Sequence, residues 1–176
     1  ELLEGKKVNL RVAEKEDIPL IAEWWNNLEV RGDYQFFPQR SRAEVEKQIE
    51  KSSSDPFWGG FIIEKKDGSK IGYVVHYPAG RLLEIGYALV PSERRKGYCS
   101  EAAGLMVDYM FLREKVVNRI QAQTDIRNVG SQKVLERTGF KREGRVRKAF
   151  FTRGGYRDYY LYSILREEWK EPKRLT

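Results

Sequence analysis

Apolar and polar positions alternate near the start of the chain: Val8 to Val12 reads V-N-L-R-V and predicts a strand. From Asp17 the period lengthens. Ile18, Ile21, Trp25 and Leu28 recur at helical spacing, and Pro19 is tolerable in a first turn. Residues 31–40 have no period and read as a loop. Ser41 and Glu44 make the S-x-x-E pattern of a capping box, which predicts a helix to about Lys51, broken by Ser52 to Pro56. Phe57–Lys65 and Lys70–His76 flank Asp67-Gly68 and predict a hairpin; Leu82–Val90 predicts a third strong strand.

Gly97 to Phe111 returns to helical spacing, with Ala102, Leu105, Met106, Tyr109 and Met110 on one face. Arg119–Thr124 reads as a strand. Asn128 caps a helix through Arg137, and Gly139 stands in the usual C-terminal place for glycine. Lys148–Thr152 and Tyr159–Leu165 predict two last strands around Gly154-Gly155. The sum is one α/β (α+β) domain over residues 1–176, with a mixed, mostly antiparallel sheet flanked by helices.

Composition narrows the function classes. A chain of 176 residues buries roughly 70% of its unfolded surface and needs no covalent staple. One cysteine, Cys99, excludes an internal disulfide framework, and with one histidine, His76, a Cys/His zinc cage is not expected. No apolar run approaches the roughly 20 residues of a membrane span. The first residues, E-L-L-E-G-K-K, lack the apolar core of a signal peptide, so a cytoplasmic protein is expected. The net charge is +7, and residues 141–176 hold 11 Lys/Arg against 5 Asp/Glu. That asymmetry fits a solvated basic surface, a site for a polyanionic ligand such as a nucleotide, or nucleic acid.

The stretch V-P-S-E-R-R-K-G-Y-C-S-E, Val90 to Glu101, carries the clearest chemistry. A strand ends and a helix begins, and between them lie Arg94, Arg95, Lys96 and Gly97. A helix start offers unpaired N–H groups and a positive dipole end; glycine lets a phosphate approach the backbone. The pattern suits a pyrophosphate. It is neither a G-x-x-x-x-G-K-[ST] loop nor a G-x-G-x-x-G loop.

R-R-K-G-Y-C resembles the acetyl-CoA signature of the Gcn5-related N-acetyltransferases, Arg/Gln-x-x-Gly-x-Gly/Ala, with Cys99 in the last place. N-V-G-S-Q-K-V-L-E-R-T-G-F, Asn128 to Phe140, is similar to the second acetyl-CoA segment of the RimJ/RimL-type branch. Leu10–Asp17 and Tyr156–Trp169 resemble that branch's first and last segments. The resemblance implies a twisted sheet splayed around an acetyl-CoA cleft. The backbone of Leu89 and Val90 would pair with the pantetheine arm. The N–H groups from Arg95 through Lys96, Gly97, Tyr98 and Cys99 to Ser100 would hold the pyrophosphate, with Arg94 adding charge. Asn128 would contact the arm, with Ser131 and Lys133 near it.

The implied reaction is direct acyl transfer to an amine in a ternary complex. The amine must be neutral to attack: at pH 7 this costs about 1.4 kcal/mol for an α-amine and about 4.6 for a lysine. Glu84, in E-I-G-Y-A-L-V, resembles the glutamate that acts as base in histone-acetylating members. Read without the family, it is a strand-edge carboxylate. The oxyanion needs a donor, most simply a backbone N–H near Val90. Many members place a general-acid tyrosine where this chain has Leu135; Ser131 is the candidate replacement. Tyr34, Phe36 and Phe37 are expected to wall the acceptor pocket, with His76 beside it or serving as a structural histidine.

The expected partner is an amine acceptor, a protein N-terminus or a small-molecule amine, with the protein a monomer or homodimer. A basic chain is a poor magnet for polycations unless acids such as Glu29, Asp33 and Glu44 line the mouth. Two rivals stand beside this reading. One is an RNA- or ribosome-associated module using the basic C-terminal third, ranked lower because no aromatic-interleaved basic strand is present. The other is an acyl-CoA sensor that lost its chemistry with the tyrosine.

Overall fold

The structure, a computed structural model, describes residues 2–35 and 38–175. Its strands are β1 (Leu2–Glu4), β2 (Val8–Val12), β3 (Gly59–Lys65), β4 (Lys70–Ala79), β5 (Leu82–Leu89), β6 (Arg119–Asp125), β7 (Lys141–Thr152) and β8 (Gly155–Leu165). They form one sheet in the order β1-β2-β3-β4-β5-β6-β8-β7. Every neighbouring pair is antiparallel except β5 with β6. The helices are α1 (Ile18–Asn26), α2 (Leu28–Arg31), α3 (Arg42–Ser54), α4 (Tyr98–Arg113), α5 (Val129–Thr138) and α6 (Arg166–Trp169).

Strand alternation sorts the core into two clusters. Phe61, Ile63, Val74 and Ile85 pack with α4 through Leu105, Met106 and Met110. Ile62, Tyr73 and Ala88 face the other way and pack with Ile18, Ile21, Trp24 and Val45 of α1 and α3. The chain from β5 to β6 crosses over through α4, as a parallel neighbour requires.

Four local features differ from the sequence expectation. Asn27 is extended and its side chain accepts from the N–H groups of Glu29 and Val30. It stops α1 and starts α2, so Leu28 is exposed and Trp24 takes the buried place. Helix α3 continues through Ser54 because the hydroxyls of Ser52, Ser53 and Ser54 donate back to the carbonyls three residues earlier. The final hairpin is far longer than expected, since β7 is a mostly exposed edge strand without apolar alternation and gains its order by pairing with β8. Strand β1 was not expected at all.

The basic surface is largely tied up locally. Lys141 pairs with Glu168 at 2.7 Å and Arg145 with Asp158 at 2.6 Å. Arg166 donates to the carbonyls of Val117, Phe111 and Glu114.

One buried carboxylate ties β2 to β4. Asp17 accepts from Arg11 through two bonds of 2.9 Å and from Lys70 at 2.8 Å. The Arg11 guanidinium, above all, holds its carboxyl well below the usual range. The stabilisation is complete above the ordinary carboxylate pKa of about 4 and is lost as pH falls through the lowered folded value. Asp17→Asn is expected to cost about 2 kcal/mol at pH 7. In wild type the cost falls away in acid, so urea midpoints of wild type and variant should converge as pH drops; a constant gap would refute the linkage.

Candidate functional site

The site lies where β5 and β6 part. Their pairing comprises only Leu83↔Ile120 and Glu84↔Gln121. Beyond Glu84 a cleft of about 390 Å³ opens, lined by Gly86 and Tyr87 on one side and Ala122 to Asp125 on the other. Val90 N–H donates to Ile71 O of β4 at 2.8 Å. Strand alternation therefore turns the backbone groups of Tyr87 and Leu89 toward the splay. The Val90 N–H itself is spent on Ile71, which leaves the Tyr87 and Leu89 N–H groups as the ones of this stretch turned toward the splay.

At the mouth of the splay the chain turns into α4. Arg95 and Gly97 both take positive φ, 62° and 83°, which curls the turn into a concave run of N–H groups. Gly97 is the N-cap of α4 and has no side chain to cap with. Among the described residues, the N–H groups of Arg95, Lys96, Gly97, Tyr98, Cys99 and Ser100 meet no protein acceptor. The cations are placed unevenly. Arg94 donates to the carbonyls of Leu89, Glu29 and Val30, so it fastens the turn to β5 and α2 rather than offering its guanidinium outward. Lys96 pairs with Glu93 at 3.2 Å, and Arg95 is exposed.

Lys7 is a cradle residue that sequence reasoning missed. Its Nζ lies 3.4 Å from Lys96 O and 3.0 Å from where a Cβ at Gly97 would stand. Glu101, in the first turn of α4, accepts from the N–H groups of Lys6, Lys7 and Val8 and docks that turn there. Nothing local signals this, because 94 residues separate Lys7 from Glu101.

Glu84 sits at the apex of the splay, buried, on the cleft. Tyr77 donates to its Oε2 at 2.7 Å; Gln121 and Gln123 donate to its Oε1 at 2.9 and 3.1 Å. Burial first, then the Glu84 charge, pushes the Tyr77 phenol well up, so Tyr77 stays a neutral donor.

Asn128 and Ser131 also line the cleft. Asn128 caps α5 by accepting from Ser131 N–H at 3.1 Å. Ser131 Oγ shares a 2.8 Å hydrogen bond with the Tyr87 hydroxyl, whose phenol burial pushes well up. Leu135 lies in the core and offers no polar atom.

Several expected residues lie elsewhere. His76 belongs to the α4 side of β4, whereas Tyr73, Val75 and Tyr77 face the cleft. It is buried against Gly59, its Nδ1 donates to Phe57 O at 2.9 Å, and burial lowers its pKa. It is corrected to a structural histidine. Lys133 is exposed, two residues past Ser131 and hence about 200° around the helix. Burial pushes the Cys99 thiol up to about 12, which suits packing rather than nucleophilic attack. Tyr34 lines the cleft with the Arg127 guanidinium 5.2 Å from its ring. Phe36 and Phe37 lie outside the described residues.

Residues 7–141 match the Acetyltransferase (GNAT) domain family. The chain belongs to this family. It is an N-acetyltransferase, and acetyl-CoA is its co-substrate. As a GNAT protein it is 31% identical over 176 residues to the probable N-acetyltransferase YjcK of Bacillus subtilis, covering 93% of this chain and 97% of that one. It is also 34% identical over 110 residues to the uncharacterized N-acetyltransferase YnaD of the same organism, covering 61% of this chain and 64% of that protein. Among solved structures, spermidine N-acetyltransferase from Vibrio cholerae, in complex with CoA and spermine, superposes with a TM-score of 0.83 at 24% identity over 94% of this chain and 99% of that chain. The splayed β5–β6 pair and the open row of N–H groups fit the extended arm and pyrophosphate of a CoA thioester.

Proposed function

We propose that residues 1–176 act as one catalytic domain that acetylates a primary amine by direct attack in a ternary complex, in the manner of the RimJ/RimL-type branch, with a protein N-terminus or a small-molecule amine as acceptor. One observation carries the reading: a buried carboxylate, Glu84, stands at the apex of a cleft whose other end is a row of unpartnered N–H groups. Acetyl-CoA supplies an acyl group already activated as a thioester, so no covalent enzyme intermediate is needed.

The chain's own residues do the rest. The N–H groups of Arg95 to Ser100, with Lys7 beside them, hold the pyrophosphate. Leu89 pairs with the pantetheine arm, and Tyr87, whose backbone also faces the splay and lies nearer Glu84, offers its N–H to the negative charge that develops on the acyl oxygen. Glu84 receives the ammonium, held by three neutral donors in one orientation, and takes its proton directly or through a water. The C–N bond forms as the C–S bond breaks. The Tyr87–Ser131 pair offers a proton to the departing thiolate at Ser131 Oγ, in place of the tyrosine that Leu135 displaces.

Initial rates with both substrates varied test this. Intersecting double-reciprocal lines and thiol release matched by acetylated amine are expected. Parallel lines, the mark of a covalent acyl-enzyme, would overturn direct transfer.

A further inference from the structure

The donors around Glu84 restrict how a proton can reach it. Resting on the reading just given, we propose that the Tyr77 hydroxyl is a catalytic residue in its own right: in place of a water, it takes the proton from the acceptor ammonium and passes its own proton to Glu84.

Each carboxylate oxygen has about two lone-pair sites. Both sites of Glu84 Oε1 are taken, by Gln121 at 2.9 Å and by Gln123 at 3.1 Å. Gln121 is held in that orientation, because its own carbonyl oxygen accepts from Arg119 at 3.2 Å and Arg119 is in turn paired with Glu143. Oε2 accepts from the Tyr77 hydroxyl at 2.7 Å. Glu84 is only 8% exposed, whereas Tyr77 is half-buried on the same cleft.

The hydroxyl also stands on the acyl side of the carboxylate. Tyr77 and Glu84 are register partners on β4 and β5. The Tyr77 ring leans along β5, so that its hydroxyl lies 3.8 Å from where a Cβ at Gly86 would stand. Position 86 is the next one after 84 on that face of β5, toward the acyl end. An amine attacking a carbonyl held at the Tyr87 N–H therefore meets the phenol oxygen before the carboxylate. Trp58 packs on the Tyr77 ring with centroids 6.2 Å apart and keeps the hydroxyl in place. Burial first, then the Glu84 charge, keeps the phenol protonated, so it has both a proton to give and a lone pair to receive one. Tyr159 lines the cleft as well, but among the described residues it makes no hydrogen bond to Glu84.

The protons balance. An N–H bond of the ammonium breaks as an O–H bond forms on Tyr77. The original Tyr77 O–H bond breaks as one forms on Glu84 Oε2. Ammonium and carboxylate become neutral amine and carboxylic acid, and Tyr77 ends as it began. After product leaves, Glu84 returns the proton to water by the same route.

The test combines a variant with an isotope measurement on the wild type. Tyr77→Phe is expected to lower kcat at least about a hundredfold, with acetyl-CoA affinity by calorimetry within about twofold and a wild-type melting curve. In wild type, kcat for a lysine-like amine plotted against the deuterium fraction of the solvent should curve, because two protons move together. That second reading does not depend on the variant folding. A Tyr77→Phe enzyme that keeps more than about a tenth of kcat would overturn the relay, since water would then serve as well. A linear plot, or no solvent isotope effect, would also overturn it and leave Tyr77 as a group that orients Glu84. Glu84→Gln run alongside separates the two claims. Loss in Glu84→Gln with an active Tyr77→Phe keeps the base and removes only the relay, whereas full activity in both removes the base itself.

Discussion

Glu84→Gln is expected to lower kcat by roughly 10²–10⁴, the usual span for loss of a general base, while acetyl-CoA affinity stays within about twofold. The separation follows from the fold. Glu84 marks the last paired position of β5 with β6, whereas the N–H groups of the cradle begin at Arg95, beyond the far end of β5. An amide at position 84 cannot take a proton from the amine, and it brings donors of its own to a place where Tyr77, Gln121 and Gln123 already donate. Some of those donors are then left unmet, at a cost of about 1–3 kcal/mol in stability. Folding of the variant is therefore checked by its melting curve and by acetyl-CoA calorimetry before rates are compared. The loss should also depend on the acceptor. A lysine-like amine needs about 3 kcal/mol more deprotonation than an α-amine at neutral pH, so it should suffer more. Measured as kcat/KM from about pH 6 to 9, around the α-amine pKa, the variant should follow the titration of the amine alone. Equal activity of both enzymes across that range would remove Glu84 from the chemistry and leave an enzyme that works by proximity on amines already neutral.

The parts of the site that were legible in sequence are those built by neighbours in the chain. The Arg94–Ser100 turn declares itself because one short stretch contains the strand end, the glycine and the helix start. Asn128 and Gly139 bound α5 for the same reason, with an Asx cap at one end and a left-handed glycine at the other. Glu84 stood out as the lone carboxylate between Asp67 and Glu93. Its donors did not. Tyr77, Gln121 and Gln123 lie 7, 37 and 39 residues from it and converge only through the register pairs Tyr77↔Glu84 and Glu84↔Gln121.

His76 fails by one residue of strand parity: position 77, not 76, faces the cleft, because successive side chains of β4 point to opposite faces. Arg94 was expected as a phosphate cation, since a guanidinium beside a glycine turn looks available. Its three carbonyl partners belong to β5 and α2, and α2 lies some 60 residues away in the chain. Lys7 was invisible for the converse reason: an exposed lysine in a turn carries no signal until Glu101 docks that turn on the cradle.

Gly97→Asp is expected to weaken acetyl-CoA binding at least a hundredfold, about 2.7 kcal/mol, with little effect on the architecture of the acceptor pocket. Gly97 has φ +83°, a conformation L side chains rarely adopt, and a Cβ there would stand 3.0 Å from Lys7 Nζ. The lysine end can swing away, so crowding alone is a minor cost. The decisive effect is charge. A carboxylate at the N-cap of α4 would compete for the N–H groups that Cys99 and Ser100 leave open, filling the anion site from within. It would also face phosphate at close range; two like charges about 5 Å apart repel by about 3 kcal/mol at an effective dielectric of 20. Because aspartate tolerates the left-handed region better than most side chains, the backbone strain is modest and the variant should fold. Gly97→Ala separates the two causes, since it keeps the strained φ without the charge and should lose far less affinity. Calorimetry with acetyl-CoA at low and high salt reads the difference, as only the aspartate penalty should shrink with screening. An unchanged affinity in folded Gly97→Asp would move the pyrophosphate away from this turn and with it the direction in which the cleft is read.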